Sequence, residues 1–334
     1  MDSVTQVLLG AAVGEAVAGR KLGNKAVLWG AISGTIPDLD VIGRYFLGTV
    51  EALDFHRGIS HSIPFAIVVS LILGTLLYSK YPCEQASRRD WIWLIFLGMF
   101  THALLDCFTT WGTQLFWSFD YRVAFKSIFV IDPLYTLPLL VCLLWLVFLP
   151  KDSKRRYKLN TIGLVLSSSY LLVSLIAKYN ANVVFEASFK DQQLEVLRYD
   201  SRPAPLNTIL WTVNAETSDG YYIGYYSFLD SDKQIEYTYF PKQHELLAHY
   251  NSDRVERLTA IMEQWYTVKQ EDDHIILNDL RFGQTQGWQA EGDFVFAYKV
   301  FKVGDIVYVE EKEKNLSEGR KLIKPLWRRI LGAE

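Results

Sequence analysis

Cysteine is scarce in this chain: Cys83, Cys107 and Cys142 are the three among 334 residues, and no CxxC pair occurs. That excludes a disulfide framework and a zinc ribbon. Excess charge of one sign is also missing, because 34 Lys and Arg face 37 Asp and Glu, which is not the composition of a nucleic-acid-binding protein. There is no internal repeat and no low-complexity stretch. The first residues lack a basic region followed by an A-x-A site, so the first apolar stretch does not read as a cleaved signal peptide. His244 and His249 are five apart and Glu245 does not complete an HExxH motif, so these residues and His274 are assigned no chemistry.

What the chain does have is a division into unlike halves, which the mean hydropathy of +0.09 averages. Long apolar runs stop near Lys178; residues 1–178 carry 16 Lys and Arg against 12 Asp and Glu, and residues 179–334 carry 18 against 25. Four runs, 61–79, 91–108, 131–149 and 161–177, approach the roughly 20 residues a helix needs to cross about 30 Å of hydrocarbon. Two earlier stretches, 4–19 and 25–42, are rich in Gly and Ala, which permits close helix packing in lipid. They read as two further spans or as a re-entrant pair. The expected fold is therefore an α-helical integral membrane bundle of about six spans over 1–178, followed by a soluble α+β domain over 179–334.

Loop charge sets the expected orientation, because Lys and Arg are retained on the cytoplasmic side. The loops 20–25, 79–90 and 150–160 hold eleven such residues and the alternate loops 37–60 and 109–130 hold four. With six spans, both termini and the second domain lie outside the cytoplasm. The second half reads as mostly antiparallel strands, at 194–200, 207–215, 220–229, 234–240, 273–280, 293–301 and 305–311, all β-branched and aromatic and punctuated by turn residues. Residues 243–265 interrupt them with helical spacing. The tail, 317–331, mixes Lys321, Lys324, Arg328 and Arg329 with Leu322, Leu326, Trp327 and Ile330. It reads first as a terminal amphipathic helix packed on its own domain, and second as one lying on a lipid surface.

Ionisable side chains in or beside spans are costly and mark function by default. Three clusters occur: Asp38 and Asp40 in Pro37-Asp38-Leu39-Asp40, His56, Arg57 and His61 in His56-Arg57-Gly58-Ile59-Ser60-His61-Ser62, and His102 and Asp106 in Thr101–Asp106. The loop-charge topology places all three at one membrane boundary. His102 and Asp106, four apart, share a helix face. Imidazole and carboxylate are ligands for Zn²⁺ first, and for Mn²⁺ or Fe²⁺. Asp38, Asp40, His56, His61, His102 and Asp106 suffice for one open site or a two-metal site. Each cluster taken singly has a plainer reading: a capped turn, an interfacial histidine pair, or a hydrogen bond between spans. Glu15, alone in the first apolar run, is a further ligand, a proton carrier or an ion-pair partner. Asp132, before Pro133, is read as a helix cap, and Arg57 as a clamp for an anion or a side chain reaching for the interface.

The PDLD, HRGxSHS and HxxLD strings resemble those of the YdjM-type family of bacterial inner-membrane metal-dependent hydrolases, over roughly residues 1–150. The resemblance implies a divalent-metal hydrolase of the cytoplasmic membrane whose ligands are Asp38, Asp40, His56, His61, His102 and Asp106. It also implies a distant similarity to zinc-dependent phospholipase C and P1-type nucleases, hence phosphoester cleavage. Relatives carry His after the Thr near the amino terminus, where this chain has Thr5-Gln6; either that ligand is missing or Glu15 replaces it. The expected reaction is hydrolysis at the extracytoplasmic boundary of a phosphoester or lipid-like, amphiphilic substrate, with Asp40 or Asp38 as general base and Arg57 facing the developing charge. Membrane lipid is the expected partner, together with an unidentified protein partner of the second domain. The rival classes are an ion or metal transporter and a non-catalytic scaffold in which the metal staples the spans.

Overall fold

The computed structural model describes residues 1–82, 84–284, 293–312 and 319–332. The expected strand end at 293–301 is described, whereas Cys83 and the start of the tail at 317–318 lie outside the described residues. The chain divides into two compact units: Met1–Gly43, Phe55–Ile176 and Pro205–Thr208 form the first, and Arg44–Asp54, Ala177–Ala204 and Ile209–Glu334 form the second.

The first unit is helical. Helices α1 (Ser3–Leu22) and α2 (Asn24–Ser33) form a tight hairpin about Gly23, whose φ of 58° combined with a ψ of −137° suits glycine. The hairpin is closed by glycine on glycine. A methyl group added at Gly14 would lie 2.8 Å from the Gly30 Cα, and one added at Gly10 would lie 2.9 Å from the Gly34 Cα. The backbone has nowhere to yield, so Gly30→Val is expected to cost about 1–3 kcal/mol or more through overpacking, read as a lower melting temperature in detergent. An unchanged transition would show that the hairpin is looser than this.

Helices α3 (Thr49–Phe55), α4 (Ile63–Lys80), α5 (Arg88–Asp106), α6 (Pro133–Leu146) and α7 (Lys154–Asp191) follow. Their starts carry the expected chemistry. Ser62 caps α4, Ser87 and Asp90 form a capping box on α5, and Asp132 caps α6 by accepting from the Leu134 N–H. Helix α1 runs antiparallel to α5, tied at one end by Gln6 and Asp106 and at the other by Lys21 and Asp90. Where six spans are expected, two helices among the described residues are both long and apolar enough to cross a membrane, α4 and α7; α6 is a shorter apolar helix. Helix α2 has 10 residues, about 15 Å at 1.5 Å per residue, half the thickness of the hydrocarbon. The second apolar stretch is thus not a full-length helix; its remainder turns into a 3₁₀ segment at Pro37–Tyr45.

The second unit takes in Arg44–Asp54, with most of α3, and resumes inside α7, which does not stop where the apolar run does. Beyond Lys178 the helix becomes amphipathic, and Ala181, Val184, Phe185 and Phe189 pack on Trp211, Val213 and Ala215 of the first sheet. That sheet holds β1 (Arg198–Pro203), β2 (Leu210–Glu216), β3 (Gly220–Ser227) and β4 (Tyr237–Pro241) in sequential antiparallel order. The second holds β5 (Tyr266–Glu271), β6 (His274–Gln284), β7 (Phe294–Val303) and β8 (Ile306–Glu311), likewise antiparallel. Because side chains alternate along a strand, the other face of β2 offers Asn214, whose Nδ2 donates to the Leu280 carbonyl of the second sheet at 2.8 Å. Tyr221, Ile223, Trp265, Leu280 and Phe294 complete that apolar junction. Strand β5 is an addition to the seven expected. The helical interruption is a 3₁₀ segment, His244–Tyr250, then α8 (Asp253–Ile261), and the tail is α9 (Gly319–Ile330).

Candidate metal centre

Four side chains from three segments distant in sequence meet in the first unit. Asp38 comes from the 3₁₀ segment after α2, His61 from the turn before α4, and His102 and Asp106 from the last turns of α5. One ligand atom from each lies within 4.8 Å of the others. His61, His102 and Asp106 are fully buried, and Asp38 is 26% exposed.

The hydrogen bonds around the imidazoles fix where their lone pairs point. His102 Nδ1 is 2.6 Å from the Gly34 carbonyl oxygen, which only accepts, so Nδ1 carries the proton and Nε2 the lone pair. Ser60 Oγ donates to Asp40 Oδ2 at 3.0 Å and lies 2.9 Å from His61 Nδ1. It therefore accepts from Nδ1, and the lone pair of His61 also falls on Nε2. These two Nε2 atoms face one another at 3.1 Å. Two acceptors so placed repel unless a cation or a proton lies between them.

Carboxylate oxygens surround the same point. Asp38 Oδ1 is 3.5 Å from His61 Nε2 and 3.4 Å from His102 Nε2; Asp106 Oδ2 is 3.4 and 3.6 Å from the same atoms. A four-coordinate ion with ligand bonds near 2.0–2.1 Å needs donors about 3.3 Å apart. Five of the six donor separations, 3.1 to 3.6 Å, match that spacing, and the Asp38 and Asp106 oxygens lie within 4.8 Å of each other. Asp106 Oδ2 is buried and makes no well-aligned hydrogen bond, its neighbour being the Arg57 guanidinium at 3.1 Å. Its Oδ1 is occupied, accepting from Gln6 Nε2 at 3.0 Å and from the Met1 nitrogen.

Asp40, His56 and Arg57 stand around this set rather than among the four donors. Asp40 Oδ2 accepts from the Arg57 N–H at 2.8 Å as well as from Ser60, while its Oδ1 is 3.1 Å from His56 Nδ1. With its oxygens so engaged, Asp40 orients His61 through Ser60, as carboxylates behind liganding histidines do. Burial holds the His56 pKa below the usual imidazole range against the opposing pull of Asp40. Arg57, at a φ of 57°, turns the chain so that its N–H reaches Asp40. Its Nε lies 3.1 Å from Asp106 Oδ2, and its Nη1 donates to Thr109 Oγ1 at 2.8 Å.

Glu15 does not take the place left by Gln6. Its two oxygens accept from Arg156 Nε and Nη2 at 2.7 and 2.6 Å, a bidentate pair nine residues along α1 from Gln6. Of the alternatives for Glu15, the structure realises the ion pair. Gln6 itself keeps its place beside Asp106 as a hydrogen-bond donor. Ser60, Thr109 and the Gly34 carbonyl also belong to the site, although the residue pattern does not single them out. Ser60 sat in plain view between two histidines, whereas a carbonyl oxygen leaves no trace in a sequence.

The profile of the family described as YdjM inner membrane protein matches residues 1–181. The uncharacterized protein YfhP of Bacillus subtilis is 24% identical over 237 residues, covering 67% of this chain and 68% of that protein. Inner membrane protein YbcI of Escherichia coli is 26% identical over 114 residues, 34% of this chain and 64% of its own length. No solved structure matches. All four donors, and the residues that orient them, lie inside the matched segment, and the chain belongs to the YdjM inner membrane protein family.

Proposed function

We propose that this protein is a membrane-embedded hydrolase, dependent on a divalent metal, that acts at the extracytoplasmic boundary on a phosphoester or lipid-like substrate. The observation that carries the reading is the pair of Nε2 lone pairs facing each other at 3.1 Å between two carboxylates. Asp38, His61, His102 and Asp106 would hold the ion, and zinc suits two nitrogens and two oxygens at this spacing. Bound there, the cation would polarise a phosphoryl oxygen and acidify water at neutral pH. The protein's own groups divide the remaining work. Asp38, the exposed member, presents one oxygen to the imidazoles and leaves the second to accept a proton. Arg57, fixed by Asp106 and Thr109, is the cation that a phosphoryl group would meet. Asp40 and Ser60 hold the His61 ring.

The test is elemental analysis of purified protein beside His61→Ala and Asp106→Asn. About one equivalent of metal is expected in the wild type, with most of it lost in each variant; equal metal in all three sinks the assignment. A phosphodiester and phospholipid panel in detergent then tests the chemistry. One feature favours a second reading, a non-catalytic metal staple: four protein donors would fill a tetrahedral shell, three of them fully buried. Turnover separates the two: with about one equivalent of metal bound, an enzyme should cleave a member of the panel and a staple should cleave none.

The same proposal includes the multi-pass topology, with the β-sheet domain outside the cytoplasm. The exposed apolar flanks of α4 (Val68, Leu71, Ile72) and α7 (Leu172, Val173, Ile176) support lipid contact, and the basic loop 150–160 supports the orientation. An alkaline phosphatase reporter fused after Glu334 is expected to be active, and one fused at Asp152 inactive. The opposite pattern would invert the topology.

A further inference from the structure

Helix α9 is docked by only part of its circumference. Leu326 and Ile330, 7% and 1% exposed, face the second unit's interior. Ser227 Oγ donates to the Ile330 carbonyl at 2.6 Å, and Arg329 Nη2 pairs with Asp230 Oδ2 at 3.1 Å. Away from that seam, Ile323, Trp327 and Leu331 are 48%, 52% and 64% exposed, at spacings of four that align them along one side. Lys324 and Arg328 are exposed beside them, each one residue on. From Arg320 to Leu331 the sequence carries five cations and no acid, in a half whose balance is 18 basic against 25 acidic residues. The rest of residues 179–334 holds 13 basic against 25 acidic residues, so the sign of the charge reverses in this helix.

We propose that the outer face of α9 is a second membrane-contact site, which lies in the headgroup layer of an anionic bilayer. An exposed tryptophan flanked by aliphatic side chains suits the boundary between water and acyl chains. Basic residues beside it meet lipid phosphates, and the two attractions act together in interfacial helices. The occupant is lipid rather than a protein groove because the cations flank the apolar line and have no acidic counterpart on the helix. This site is independent of the metal centre and of any hydrolytic activity.

The experiment uses the full chain in nanodiscs of phosphatidylcholine, alone or mixed with phosphatidylglycerol. A nitroxide is attached at Ile323→Cys in a Cys83→Ser background, Cys107 and Cys142 being buried, and the label is repeated at Leu331→Cys. The readout is collision with oxygen, which partitions into lipid, against collision with a water-soluble nickel chelate. In anionic discs both labels are expected to shift toward oxygen. Lys324→Glu with Arg328→Glu should return them toward the chelate while leaving the melting temperature unchanged, since both side chains point outward. Labels that remain chelate-accessible in anionic discs overturn the proposal. So do labels shielded from both reagents, which would mean a protein covers the face, and lipid-like labels that ignore the charge reversal.

Discussion

Arg156→Leu is expected to destabilise the protein by about 3–5 kcal/mol, the usual consequence of leaving a buried charge without its partner. The magnitude follows from how completely the guanidinium is used. Arg156 is 1% exposed and Glu15 is 7% exposed. Besides the two bonds to Glu15, Nη1 donates to Asn24 Oδ1, to the Leu146 carbonyl and to the Leu149 carbonyl, at 2.8, 3.2 and 3.0 Å. One side chain thus closes the α1–α2 hairpin, the end of α6 and the start of α7. Glu15→Gln should cost less, because an amide oxygen still accepts from the fork. Combining Arg156→Leu with Glu15→Leu removes the orphaned charge but takes its side-chain donor from the half-buried Leu149 carbonyl, a loss of about 1–3 kcal/mol for a buried group, whereas the Leu146 carbonyl still accepts from the Leu149 N–H and Asn24 is exposed. The double variant should therefore recover only part of the loss. Melting in detergent checks the order: wild type, then Glu15→Gln, then the double variant, then Arg156→Leu. If Arg156→Leu matched the wild type, the pair would contribute nothing to cohesion.

This ion pair shows what the sequence hides. Glu15 is conspicuous in an apolar run, but its partner lies 141 positions away, where it reads as one more basic residue of a cytoplasmic loop. An isolated acid then looks like a ligand. The metal-centre residues were legible for the opposite reason: three ionisable clusters interrupt otherwise apolar segments at segment ends, and a topology counted from loop charge alone brings those ends to one side. Helix α7 outruns the apolar run that stops near Lys178, because an apolar run and a helix need not end together. The helix continues by exchanging an all-round apolar surface for one stripe, Ala181, Val184, Phe185 and Phe189, that packs on a sheet. Strand β5 was missed because Lys269, Gln270 and Glu271 end it in exposed or half-exposed polar residues, and its pairing with β6 is tertiary information. The shortness of α2 is likewise decided by packing, since Gly30 and Gly34 are drawn against α1 before the segment has crossed half a bilayer.

Asp40→Asn is expected to weaken metal binding by about 10–100-fold without removing any of the four donors, the range typical of losing a carboxylate behind a liganding histidine. The coupling runs through Ser60. As long as Asp40 Oδ2 accepts from Ser60 Oγ, the hydroxyl offers its lone pair to His61 Nδ1, which pins the proton there and leaves Nε2 free for the ion. An amide at position 40 can present N–H to Ser60 instead. The hydroxyl then turns its proton toward Nδ1, the tautomer reverses, and Nε2 carries a hydrogen into a centre where His102 Nε2 stands 3.1 Å away. Ser60→Ala should produce a smaller loss, because Asp40 Oδ2 is itself only 3.4 Å from His61 Nδ1 and can hold the ring directly. Competition with a graded series of chelators on each purified variant measures both. Equal affinity of Asp40→Asn and wild type would mean that His61 is oriented by packing alone, and Ser60→Ala falling further than Asp40→Asn would place the decisive acceptor on the hydroxyl.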